Sequence, residues 1–91
     1  MTRDQILGWL DSRRPTPPLA LRERLRAAVH DTALGLAAHL AQLGDELLSG
    51  VAARPAGGRE LALDLLAADA FATYAFEAQA EAGDGGGGIH P

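Results

Sequence analysis

The chain has 91 residues, so it has room for one domain. Its formal charge of −4 gives no basis for a basic nucleic-acid-binding face, and with no cysteine it can form neither a disulfide framework nor a thiolate metal site. Ala, Leu, Glu and Arg dominate while Val and Ile are rare, which favours helix over strand.

The opening MTRDQILGWLD predicts a short first helix over about residues 2–12. Thr2 caps it, and Gln5, three residues on, completes a capping box. Ile6, Leu7, Trp9 and Leu10 form its apolar side, and Arg13-Arg14-Pro15 ends it. The segment lacks the long apolar core of a signal peptide, and no charge-free apolar run is long enough to span a membrane. A cytoplasmic location is therefore expected by default.

Pro15-Thr16-Pro17-Pro18 reads as a stiff connector. Thr16 is a plausible N-cap, with Pro17 at the first helical position. Over residues 17–49, Leu21, Leu25, Val29, Thr32, Leu36, Leu40, Leu43 and Leu47 recur every three or four residues. This stripe keeps one phase and predicts one continuous helix. His30-Asp31-Thr32 is the site of an alternative break, with Asp31 capping a new helix. A second stripe of Leu19, Leu34, Ala37, Ala41, Gly44 and Leu48 implies a second neighbour. Ser49-Gly50 is expected to end the helix, Gly50 supplying a left-handed C′.

Residues 51–59 (VAARPAGGR) form a loop between antiparallel helices. The next helix, over residues 59–82, has almost no purely polar side. Leu61, Leu65, Ala72 and Phe76 share one sector, Leu63, Leu66, Ala70 and Tyr74 another, and Ala67, Phe71 and Ala78 a third. A helix that is apolar nearly all round is covered on several sides. Residues 83–91 read as a flexible Gly-rich tail.

The expected fold is all-α: a small helical bundle in which a short N-terminal helix joins a two-helix antiparallel hairpin. About 75 packable residues lie near the lower limit for a lone core. Apolar surface exceeds what one copy can bury, so a homodimer is expected, a four-helix bundle built from two hairpins.

No motif fixes a chemistry. Asp69 lies within the apolar run LLAADAFA and is read as a core-edge carboxylate in need of a partner. His39 and Glu46 flank the main stripe of the long helix, and with Asp69 and Tyr74 they outline a conceivable pocket for a small ligand or metal. The Glu-x-x-His spacing of di-iron bundles is missing. Arg13, Arg14, Arg22, Arg24 and Arg26 are expected to pair with acids of the carboxy half. The reading with most support is a non-enzymatic protein-interaction or assembly module, with no cofactor. Trp9, Leu36, His39, Leu40, Leu43, Glu46, Leu66, Asp69, Tyr74 and Phe76 are its candidate interface or pocket residues. The partner is a second copy, another protein, or both, with no nucleic acid and no membrane span.

Overall fold

The computed structural model describes residues 1–54 and 58–87, with side chains placed up to residue 83 in the last helix. Among the described residues it is all-α, with four helices: α1 (Arg3–Asp11), α2 (Leu19–Ala28), α3 (Leu36–Ala52) and α4 (Arg59–Gly87). Among the described residues no helix is long and apolar enough to cross a membrane.

α1 begins as its sequence dictates. The Gln5 amide donates to Thr2 Oγ1 at 3.2 Å, and the Thr2 amide donates to Gln5 Oε1 at 2.9 Å. Two orphan amides of the first turn are thus satisfied reciprocally. Ile6, Leu7 and Leu10 enter the core.

The predicted continuous helix over 17–49 is corrected to two helices, α2 and α3, joined by residues 29–35. Val29 leaves helical geometry at φ −72°, ψ 137°, yet its side chain stays in the core. The amino terminus holds the joint in place. The Met1 ammonium donates to the Thr32 carbonyl at 2.7 Å, and the Thr32 amide donates to the Met1 carbonyl at 2.9 Å. The Arg3 guanidinium donates to the carbonyls of Val29 and Arg26 at 3.1 and 3.0 Å, satisfying the carboxy end of α2. Asp31 does cap a helix, but it is α1: its Oδ1 accepts from the Arg3 amide at 2.6 Å. Gly35 is the N-cap of α3, which has no side-chain cap. These long-range contacts leave no mark in a 3.6-residue period, so the stripe keeps its phase across a break.

Three boundaries also differ. α2 starts at Leu19 with Pro18 as N-cap, not at Thr16-Pro17. α3 runs through Gly50 to Ala52, and no described glycine takes a positive φ. α4 continues through the start of the expected flexible tail to Gly87. Residues 55–57 of the expected loop and 88–91 of the tail lie outside the described residues.

α3 and α4 form the antiparallel hairpin, and small residues let them come close. A Cβ added to Gly44 would meet the Ala68 carbonyl oxygen at 3.3 Å and the Phe71 Cβ at 3.4 Å. The α4 stripe turned inward is Ala67, Ala68, Phe71, Ala75 and Ala78, with Phe71 fully buried. It meets Leu40 and Leu43 of α3, and Ile6, Leu7, Leu10, Leu25 and Val29 complete the cluster.

Candidate functional site

Among the described residues two polar side chains are buried, Asp64 and His39, and both are part of the scaffold. Asp64 is only 5% exposed. It sits on the inward stripe of α4, seven residues before Phe71 and so nearly in phase with it. Its carboxylate accepts from Arg24 Nε at 2.6 Å and from an Arg54 terminal nitrogen at 2.7 Å. The hydrogen bond from Arg24, followed by that from Arg54, holds its pKa below the ordinary aspartate value against the opposing effect of burial. One carboxylate therefore ties α2 and the end of α3 to α4.

The buried, Arg-paired carboxylate is thus Asp64. Asp69, assigned that place at the core edge from sequence, is exposed. The Leu61/Leu65/Phe76 sector beside it was one of three apolar sectors, and of that sector Leu65 and Phe76 stay exposed. The true core stripe is rich in alanine because α3 lies so near.

His39 is 1% exposed, and its Nε2 has no hydrogen-bond partner among the described residues. Its ring stands edge-on to that of His30, 4.8 Å between centroids. Burial, then the neighbouring His30, lowers its pKa, so the neutral ring is favoured. The other residues of the conceivable pocket lie in different surroundings. Glu46 and Asp69 are exposed, and Tyr74 sits against Trp9. Among the described residues no group of three or more metal-ligating side chains converges.

Trp9 fastens its own helix to the bundle. Its Nε1 donates to Glu81 at 3.0 Å, and its ring meets Tyr74 edge-on at 6.1 Å. The Arg13 guanidinium lies 4.0 Å from the Trp9 ring centre and pairs with Glu81 at 2.6 Å. The expected pairing across the two halves is met by Arg13 and Arg24, whereas Arg22 and Arg26 pair with Asp11, within the amino half.

What remains open is one face of the hairpin. Its floor is Ala41 and Gly44 of α3 with Ala68, Ala72 and Ala75 of α4, lining an open groove of about 480 Å³. Leu48 (52% exposed) and Leu65 (45%) stand at one end. Phe76, 77% exposed, stands towards the other end, beside Ala37, Ala38 and Gln79. Asp45 and Asp69 are the charged residues of the groove wall, and neither forms an ion pair among the described residues. Of the candidate residues, Phe76 and Asp69 reach this face. Leu40 and Leu43 are core, and Leu36 packs partly buried against it. Leu66 is exposed on another side of α4. Ala41, Gly44, Asp45, Leu48, Leu65 and Ala72 complete the face. The weaker stripe of α3, which contains Ala37, Ala41, Gly44 and Leu48, was the signal for its half.

Comparison of the chain with protein-family models, curated proteins and solved structures returns no match.

Proposed function

We propose that this chain is a non-enzymatic protein-interaction module whose working surface is the open α3/α4 face. The observation that carries the reading is Phe76: a phenyl ring 77% exposed at the edge of a groove of small residues, with Leu48 and Leu65 farther along the same face. Scattered exposed apolar residues need no explanation, but large ones gathered around one concave strip mark a contact surface. Small side chains on the floor let a partner helix approach closely. An exposed aromatic beside them supplies the kind of anchor on which interface energy concentrates. The buried and ion-paired polar groups support this reading indirectly. Asp64, Trp9 and Arg13 are engaged in holding helices together, and His39 is shut away from the groove side chains.

Phe76→Glu tests the proposal. The largely exposed ring contributes little to the fold, so far-UV circular dichroism should be unchanged. In extract of its source cells, tagged wild-type protein should run in a complex larger than one chain, and the variant should run as one chain. Identical migration of the two as single chains would overturn the proposal.

A further inference from the structure

We infer that the occupant of the α3/α4 face is a second copy of this chain, laid across it antiparallel about a two-fold axis at the level of Ala41 and Ala72. This rests on the proposal that the face is an interaction surface, and adds the partner and its orientation.

The face is self-complementary, as a two-fold interface must be because each patch meets its own copy. The close approach of Gly44 to Ala68, Phe71 and Ala72 sets the register of the two helices. One turn earlier on α3, Ala41 shares the groove wall with Ala72 and Ala75. Four residues beyond Ala72 is Phe76, the knob; four residues before it is Ala68, in the hollow. Each lies about 6 Å from the Ala72 level along the helix. A two-fold axis running across both helices at that level exchanges them. Phe76 of each copy then stands over the Ala68 level of the other, where the groove of about 480 Å³ is floored by Ala41, Gly44, Ala68 and Ala72.

The same axis also matches charge. Four residues after Ala41 is Asp45; four residues before it is Ala37, in the first turn of α3. That turn has Gly35 as N-cap and no side-chain cap, so the positive end of the helix dipole lies there without a side-chain partner. The axis brings the Asp45 carboxylate of one copy to the first turn of α3 in the other, twice per dimer. The alternative axis, running along the helices, lays α3 on the copy's α4 and places Asp45 against the copy's Asp69. Like charges disfavour that arrangement.

Single cysteines test the axis, since the native chain has none. Ala72→Cys and Ala41→Cys lie on it, so under mild oxidation each should join two chains through a disulfide. Leu65→Cys lies seven residues away, which puts it about 21 Å from its own copy, too far to bridge. Mixed with Gln79→Cys, the position it should face, Leu65→Cys should form the heterodimer. Unchanged circular dichroism shows that each variant is folded. Self-linking of Leu65→Cys as fast as Ala72→Cys would overturn the orientation. Failure of every pair to link would overturn self-association. If the extract complex is then still lost on Phe76→Glu, the face binds a different chain and the broader proposal stands; if not, both fall.

Discussion

Asp64 and Asp69 lie five residues apart on α4, and half a helical turn separates their surroundings. Asp64 points inward to two guanidinium groups, and Asp69 stands on the groove wall. Removing Asp64 would leave Arg24 and Arg54 facing the core edge without their acceptor. Both arginines are partly exposed, so solvent would recover some of the loss. Asp64→Ala should cost about 1–3 kcal/mol, the range for hydrogen bonds to charged groups and their desolvation. Asp69→Ala should stay within about 0.5 kcal/mol, as for an ordinary surface position. The pH dependence follows from the lowered pKa of Asp64. A carboxylate whose folded pKa lies below its unfolded value stabilises the fold above the unfolded value of about 3.9. That contribution disappears as pH falls through the folded pKa. Urea unfolding at pH 7 and pH 3 should therefore show the Asp64→Ala deficit shrinking in acid. A deficit as large at pH 3 as at pH 7, or an equal one for Asp69→Ala, would contradict this assignment. From sequence both residues were acids in an apolar helix. Which one faced the core depended on which of three apolar sectors packed, and periodicity alone does not rank them.

At the scale of the elements, the close contact of α3 with α4 decides which sector that is. Gly44 sits where a Cβ would press on the Ala68 backbone carbonyl at 3.3 Å, an atom that cannot turn aside. A leucine there would force the hairpin apart. Gly44→Leu should cost about 1–3 kcal/mol, typical of overpacking, despite the better helix propensity of leucine. Gly8 on α1 is the control, since a Cβ there meets nothing within 4 Å. Gly8→Ala should stabilise by about 0.5–1 kcal/mol through propensity alone. Thermal melts of the two variants should move in opposite directions, and a Gly44→Leu protein as stable as wild type would contradict the close approach. The elements were legible to different degrees. α1 and its capping box are local, and the sequence contains them in full. α4 is long and rich in strong helix formers, so its existence and start were clear. The break between α2 and α3 depends on Met1 and Arg3 folding back on residues 26–32, contacts that span more than twenty residues. No local pattern reports them.

For the whole molecule, the all-α class and the surplus of apolar surface were both legible from composition and periodicity. A short chain rich in leucine and alanine, with an α4 apolar on three sides, has more apolar faces than three other helices can cover. The structure locates the surplus. Two sides of α4 meet the rest of the bundle, and the sector with Leu65, Ala72 and Phe76 stays open beside a matching strip of α3. The polar half of the candidate site was not legible, because His39, Glu46, Asp69 and Tyr74 were grouped by helical phase alone. Phase places residues on a face but does not say which helix covers it.

The central claim is that the open face closes by association with a second copy. Its most direct test is the mass of the purified chain by light scattering after size exclusion, over a concentration series, for wild type and Phe76→Glu. The account predicts that wild type approaches twice the 9.5 kDa chain mass as concentration rises, while the equally helical variant stays at one chain mass throughout. A wild-type protein that holds one chain mass at every concentration, indistinguishable from the variant, would contradict it.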